Sequence, residues 1–321
     1  MKHLLYTITA AVAAMTALSC ANNTADVEIG PFTVYPIQKN VYHIQDYNSS
    51  NPAGETLDAE GNVVSFNNCS DIYLINGKNK ALLIDLSNKI GWADNAEESL
   101  RQLVAERTDG KELIITFTHN HGDHTGMLKA YTEDPDVHFA LPEADFTRLA
   151  GRFPENQYSF INEGHIFDLG GIEVEVISVP GHTNGSVVFY IHGQNILFTG
   201  DAIGSGHGVW IFNEAGYKQY VTAIPHLISW LENPENKVDI EKLRIYGGHY
   251  WQRNRLPDLG DDEMGISYLR DMQALINDIA SGKANSEPSS IGRPNLDTYF
   301  KHGIATIAWN AEEAKAFAEN L

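Results

Sequence analysis

The 321-residue sequence is poor in cysteine, in positive charge and in long apolar runs. It has 2 cysteines, Cys20 and Cys69, and Cys20 closes an N-terminal apolar stretch that we expect to be processed. No intrachain disulfide can then form in the mature chain, and Cys69 is expected to be a half-buried structural thiol. Stability must come from a hydrophobic core, for which the chain is long enough to form one large domain.

Basic residues are outnumbered, with 22 Lys and Arg against 42 Asp and Glu and a formal net charge of −20. A nucleic-acid partner would require a basic patch, and no cluster of lysine or arginine stands out beyond Arg253 and Arg255. We therefore expect a small-molecule substrate and no nucleic-acid partner. Acidity also helps solubility, so the charge alone names no substrate.

An apolar stretch at residues 4–18 follows a short positive start and ends in small residues before Cys20. It is too short for a stable membrane span and indicates a secretory signal. The segment resembles a bacterial lipoprotein signal with Cys20 as the lipidated residue; the alternative is a plain signal peptide with an incidental cysteine. We expect a signal peptide at residues 1–19, a tether at 20–30, and export to the periplasm or outer membrane, with the lipid as the only membrane contact.

Residues 113–117 form an apolar, strand-like run, and four metal-capable side chains follow it directly: His119, His121, Asp123 and His124. Imidazole and carboxylate suit zinc, but this cluster alone cannot complete the ligand shells. Three later strand-like segments end in further metal-capable side chains: His182, Asp201 and His249. Taken singly, each could be an ordinary residue that caps a turn; the ordered set at strand ends indicates one site.

This ordered set resembles the ligand signature of the metallo-β-lactamase-fold hydrolases, over roughly residues 30–258. The resemblance implies an α/β fold, the four-layer αββα sandwich, with a catalytic domain at 31–258 and a C-terminal extension with a helix at 259–321. It also implies two Zn²⁺ ions, with iron or manganese as alternatives. By position, the first ion is assigned to His119, His121 and His182, the second to Asp123, His124 and His249, with Asp201 as the bridge.

The same resemblance implies a reaction. Two metals held close together lower the pKa of bound water, and a bridging hydroxide can then attack a carbonyl or phosphoryl centre. Asp123 would orient the hydroxide and carry its proton to the leaving group, and Asp85 would hold a ligand histidine. Because Asp201 is present, the set is most similar to the thioesterase, lactonase and phosphodiesterase branch, which includes glyoxalase II.

We predict hydrolysis of a lactone, ester or thioester of a small molecule. The alternatives are an exported β-lactamase-type amide hydrolase and then a phosphodiesterase. A flavodiiron-type oxidoreductase is disfavoured, because it normally has a carboxylate where His121 stands and an attached flavin domain. A structural metal site is disfavoured because it needs four saturating ligands, whereas three ligands plus a shared carboxylate leave room for water.

The remaining predictions concern the site mouth and the C-terminal half. Glycines interleave with polar residues after Asp201, which indicates a loop at the site mouth, and we predict substrate contacts at His207, Trp210 and Tyr250. A helix is predicted over residues 217–231 with a kink or break at Pro225. Beyond it we expect a helix at 266–279, a Ser/Gly/Pro linker at 281–294, and a closing strand and helix.

Overall fold

The computed structural model of the chain describes residues 27–46, 56–57, 63–65, 70–91, 93–204, 208–249 and 264–320. The predicted leader, tether and lipidated Cys20, as well as Cys69, lie outside these residues, so the predictions made for them stay predictions. Among the described residues, no helix combines the length and apolar composition needed to cross a bilayer.

The strands are β1 (Val27–Ile29), β2 (Phe32–Gln38), β3 (Val41–Asp46), β4 (Thr56–Leu57), β5 (Val63–Ser65), β6 (Ile72–Asn76), β7 (Lys80–Ile84), β8 (Glu112–Thr116), β9 (Val137–Pro142), β10 (Tyr158–Ile161), β11 (Ile166–Asp168), β12 (Glu173–Ser178), β13 (Val187–Ile191), β14 (Ile196–Gly200), β15 (Val209–Trp210), β16 (Arg244–Gly247), β17 (Asn285–Pro288), β18 (Thr298–His302) and β19 (Ala305–Trp309). The α-helices are α1 (Ala96–Thr108), α2 (Glu143–Phe146), α3 (Glu214–Glu232), α4 (Ile266–Ala280) and α5 (Ala311–Glu319).

Two sheets form the centre of the molecule. The first has the order β1-β2-β3-β6-β7-β8-β9-β10 and the second the order β11-β12-β13-β14-β16. In the first sheet β7, β8 and β9 run parallel, and in the second β14 and β16 run parallel. Loops that follow the carboxyl ends of parallel strands are common places for ligand sites, and the predicted ligands follow β8, β14 and β16.

Alternation along the strands divides the core into two packing faces. Ile75 and Leu82 of the first sheet face the second sheet, in a core that extends to α3 and α4. Leu74 and Leu83 point the other way and pack in a separate core with Leu100 of α1. This division follows from the two-residue period of a strand. The layers are α1, the first sheet, the second sheet, and α3 with α4, so the predicted αββα sandwich is confirmed.

Helix α3 continues through Pro225, so the break considered from the sequence does not occur. A proline inside a helix costs about 3 kcal/mol because it removes a backbone hydrogen bond and crowds the preceding turn. Ile224, Leu227 and Ile228 beside it are buried against the second sheet. Burial of side chains of this size, at about 1.5–3 kcal/mol each, is sufficient to hold the helix together.

The C-terminal residues form a third sheet with the order β15-β19-β18-β17. The predicted helix at 266–279 is confirmed as α4, but part of the predicted linker is wrong, since Asn285–Pro288 is strand β17 paired with β18. Strand β15, which lies soon after Asp201, pairs in parallel with β19. The C-terminal strands are therefore hydrogen-bonded to the segment that we predicted to lie at the site mouth.

Candidate metal centre

The seven predicted ligands come together at one edge of the sandwich, in two groups that share Asp201. Within each group the candidate ligand atoms lie within 4.8 Å of one another. We call the first group the three-histidine group: His119, His121, His182 and Asp201. We call the second the two-carboxylate group: Asp123, His124, Asp201 and His249. The grouping agrees with the division expected from the sequence, and the ligand roles themselves stay a prediction.

The three-histidine group fits a bound cation. Nε2 of His119 is buried and has no hydrogen-bond partner. His182 Nε2 lies 3.0 Å from His121 Nδ1 and 3.5 Å from Asp201 Oδ2. A buried polar atom without a partner is costly, and converging imidazole nitrogens beside a carboxylate are a donor set that suits zinc.

The two-carboxylate group is arranged around one oxygen of Asp201. His124 Nε2 lies 3.3 Å and His249 Nε2 3.4 Å from Asp201 Oδ1. His249 Nε2 is also 3.7 Å from Asp123 Oδ2. Two imidazoles and two carboxylates in this space fit a divalent cation as well, because oxygen and nitrogen ligands both suit zinc, iron and manganese.

Burial and charge act differently on the histidines of the two groups. Burial lowers the pKa of His119 well below its usual range and that of His182 to about 4. In the two-carboxylate group burial is outweighed: Asp201 and Asp85 hold the pKa of His124 well above its usual value, and Asp201 raises that of His249 to about 9. Burial would raise the pKa of Asp201, but His249 and His124 hold it well below the usual value.

Asp85 orients two of the histidines, as the resemblance implied. Its Oδ2 accepts a hydrogen bond from His124 Nδ1 at 2.9 Å and from the Thr118 hydroxyl at 2.7 Å, while its Oδ1 accepts from Thr118 N at 2.7 Å. The Thr118 hydroxyl in turn lies 3.1 Å from His119 Nδ1. Asp85 has φ 63°, a strained conformation for a residue other than glycine. Partners of this kind fix the ring orientation of a metal-binding histidine.

The loop that carries His249 is tied to the first sheet and packed tightly on the site. The carbonyl of Gly248 accepts from Asp71 N at 2.7 Å, and that of Gly247 from the Tyr73 hydroxyl at 2.6 Å. A Cβ added at Gly248 would lie 2.6 Å from Asp201 Oδ1 and 2.7 Å from His124 Cε1. Only glycine lets this backbone approach the two side chains so closely.

Asp145 links the two loops of the three-histidine group, and the sequence analysis missed it. Its Oδ2 accepts from Asn120 N at 3.0 Å and from the Thr183 hydroxyl at 2.8 Å, and its Oδ1 accepts from Gly185 N at 2.7 Å. Asn120 lies between His119 and His121, and Thr183 follows His182, so one buried carboxylate joins both ligand loops. Burial raises the pKa of Asp145 despite these donors. In sequence it looks like any acidic residue in a first helical turn.

Of the three predicted substrate contacts, only Trp210 belongs to the described residues. Its carbonyl accepts a hydrogen bond from His182 Nδ1 at 2.9 Å, which fixes the orientation of that imidazole. The ring of Phe212, which the sequence analysis did not single out, lies with its centroid 5.7 Å from that of His121 and 5.4 Å from that of His182. His207 and Tyr250 lie outside the described residues, so their roles stay predictions.

The site can now be set beside known proteins. A family model described as the metallo-beta-lactamase superfamily matches residues 70–249, a span that contains all seven predicted ligands and more than half of the chain. Among solved structures, a metallo-beta-lactamase from Pontibacter korlensis is similar with a TM-score of 0.53 over 77% of this chain and 99% of that chain. The sequence identity is 22%, so this likeness shows the fold alone.

Two curated relatives extend the comparison. A protein named atrochrysone carboxyl ACP thioesterase, from Claviceps purpurea, is 26% identical over 208 residues, 64% of this chain and 59% of the relative. A lactamase-like protein from Aspergillus niger is 29% identical over 191 residues, 58% of this chain and 56% of the relative. The chain therefore spans less than two thirds of the length of these relatives. Together with the family match they indicate a hydrolase, as predicted.

Proposed function

Because the chain belongs to the metallo-beta-lactamase superfamily, we propose that it is a dinuclear metal-dependent hydrolase of an ester-like carbonyl compound. We expect a thioester to be the preferred substrate. Lactones and other esters could be cleaved by the same attack on a carbonyl carbon. The observation that carries the proposal is the sharing of Asp201 between two compact groups of metal-capable side chains. Zinc is the expected metal, with iron or manganese as alternatives.

In this proposal the residues of the chain have distinct roles in holding the two ions. His119, His121 and His182 would hold one ion and Asp123, His124 and His249 the other, with Asp201 on both. When bound, such ions supply Lewis acidity and lower the pKa of bound water towards neutrality. Asp85 and Thr118 hold ligand side chains, and Asp145 holds the loops that carry them, through hydrogen bonds.

Asp123 is proposed to hold and move a proton. Its side chain retains 22% of its exposure, while Asp201 beside it retains 12%. One of its oxygens lies 3.7 Å from His249 Nε2, so the carboxylate faces the centre and remains reachable from solvent. A carboxylate so placed can take a proton from the attacking water and give it to the leaving group.

Thioesters come first because of the relatives. The Claviceps purpurea relative is named as an ACP thioesterase. The ring of Phe212 lies beside the three-histidine group and contacts the ring of Trp210, and such an aromatic surface suits an apolar acyl or thiol portion. A thioester substrate also agrees with the resemblance to the glyoxalase II-like branch, whose members hydrolyse thioesters.

A parallel assay tests this function. The chain starting after Cys20 is stripped with a chelator, reloaded with zinc, iron or manganese, and offered a thioester, a lactone, a β-lactam and a phosphodiester. We expect metal-dependent turnover of the thioester first and the lactone second. The variant Asp201→Asn runs beside it to exclude contaminating activity. Preferred turnover of the β-lactam or phosphodiester would replace the proposed substrate class, and inactivity on all four with both groups loaded would overturn the hydrolase assignment as stated.

Export and anchoring are proposed on the N-terminal sequence alone. Lipidation at Cys20 would place the enzyme at a membrane surface outside the cytoplasm. Labelling of a bacterial expression culture with a fatty-acid probe should mark the full-length chain and should fail for Cys20→Ser. A Cys20→Ser chain that still carried the label would contradict the lipoprotein proposal.

A further inference from the structure

The ring of Phe212 lies beside the three-histidine group and the ring of Trp210 packs against Phe212, and we call these two residues the aromatic wall. The two ring centroids are 6.3 Å apart. Phe212 is close to the imidazoles of His121 and His182, and the Trp210 carbonyl binds His182 directly. The aromatic wall therefore continues from the ligand imidazoles to the ring of Trp210.

The C-terminal extension fixes the aromatic wall in place. Strand β15, which includes Trp210, pairs with β19, and the next residue, Ile211, donates a backbone hydrogen bond to Ala308 O at 2.9 Å. Asn295 Nδ2 donates to Phe212 O at 3.3 Å. Both rings also pack on a small core built around Leu296 and Tyr299. Residues beyond the segment matched by the family model thus shape one side of the site.

The extension also brings a positive charge to the wall. The guanidinium carbon of Arg293 lies 5.4 Å from the centroid of the Trp210 ring. Arg293 is exposed, and it forms no ion pair with any residue that the structure describes. Its charge is therefore available to an acidic ligand. A cation–π contact with the tryptophan ring holds the guanidinium near the wall while its N–H donors stay available.

We propose that Arg293 and the aromatic wall select substrates in which an apolar group ends in a carboxylate. The apolar group lies along Phe212 and Trp210, and the carboxylate pairs with the guanidinium at the outer end. Arginine offers two parallel N–H donors that match a carboxylate, which makes it selective over a neutral amide. This inference deepens the proposed function and rests on it, because the reacting end of the substrate would lie at the proposed metals while the other end follows the wall.

The first test compares two thioesters that differ only in a terminal carboxylate or carboxamide on the acyl chain. Wild type should prefer the carboxylate, and Arg293→Gln should lose about tenfold in kcat/KM for it, as expected for one exposed charge-assisted contact, while the carboxamide is unaffected. The matched control is Arg270→Gln, since Arg270 is also exposed and is paired with Glu232 on α3. Equal effects of Arg293→Gln on both substrates, or none on either, would overturn the proposal.

The second test does not depend on turnover, so it separates this inference from the proposed function. A series of unbranched thiols of increasing length, each ending in a carboxylate or a carboxamide, is titrated into zinc-loaded protein by calorimetry. The thiolate binds the metal, and the carboxylate should strengthen binding only at chain lengths that reach Arg293. The advantage should vanish in Arg293→Gln and persist in Arg270→Gln. A carboxylate advantage that is independent of length, or retained in Arg293→Gln, would overturn the inference even for an active hydrolase.

Discussion

The two ligand groups share one carboxylate but differ in charge. The three-histidine group sets three imidazoles against Asp201, and burial lowers the pKa of His119, His121 and His182. The two-carboxylate group sets two imidazoles against two carboxylates, and the pKa values of His124 and His249 are raised. Burial in the first group therefore favours neutral imidazoles, and the carboxylates of the second favour the protonated form of its histidines.

The opposite pKa shifts show that one edge of the sandwich carries two neighbouring groups with different electrostatic environments. Neutral imidazole nitrogens suit a softer cation, while added carboxylate character tolerates a harder one. The two groups also rest on different supports. The three-histidine group depends on Asp145 between two loops, and the two-carboxylate group on Asp85 and on the close approach of Gly248. Substitutions at these supporting residues should therefore change metal binding by one group more than by the other.

The largest effect is expected from Asp201→Ala, because this carboxylate belongs to both groups. Both sites should lose metal, and hydrolysis should fall by more than about 100-fold, the upper end for loss of an outer partner of a metal ligand. Metal content by elemental analysis after dialysis provides the measurement. Asp168→Ala, at an exposed position on β11, serves as the control. Full metal content in Asp201→Ala would contradict the shared-ligand assignment.

Next, Gly248→Ala should damage the two-carboxylate group. Its new methyl group would press on Asp201 and His124, and overpacking of this kind costs about 1–3 kcal/mol. We expect lower stability in urea and loss of the second metal, monitored by cobalt absorption. Gly122→Ala provides the matched control, because Gly122 lies within the ligand cluster yet has no atom within 4 Å of an added Cβ. Similar behaviour of the two variants would show that the close packing at Gly248 does not matter.

Asp145→Asn should act mainly on the three-histidine group. The amide would turn a donor towards Gly185 N or towards Asn120 N and Thr183, where the carboxylate now only accepts. Cobalt affinity of that group should weaken by about 10–100-fold, as for other outer partners of ligand histidines. The two-carboxylate group should change little. Equal weakening of both groups in a calorimetric titration would mean that Asp145 supports the fold as a whole.

The smallest effect is expected from Thr118→Val. Loss of its hydroxyl removes the link between Asp85 and His119 but leaves the direct bond from His124 to Asp85. Loss of one such hydrogen bond costs about 1 kcal/mol, which corresponds to a roughly fivefold weaker affinity of the three-histidine group for its metal. Asp85→Asn, titrated in parallel, should weaken both groups. If Thr118→Val also weakened both, Thr118 would do more than relay the orientation of His119.

The ligands could be predicted from the sequence because metal chemistry restricts them to few residue types, which here recur at strand ends. Asp145 could not, because its partners Asn120, Thr183 and Gly185 are 25 to 40 positions away and were found only when the loops met. Strand β17 escaped prediction for another reason. All four of its residues are exposed, so no alternation of apolar side chains marks it, and its conformation comes from backbone pairing with β18.

The metal-capable residues and their order at strand ends could be read from the sequence, because side-chain chemistry and strand periodicity are local properties. The αββα class came only from the family resemblance, since periodicity indicates no more than a mixture of helices and strands. Only the folded chain shows that the side chains of each ligand group lie close together, that Asp145 joins two ligand loops, and that Arg293 lies over Trp210. These depend on contacts between segments far apart in the chain. Such contacts arise only when the core brings the sheets, the helices and the C-terminal strands together.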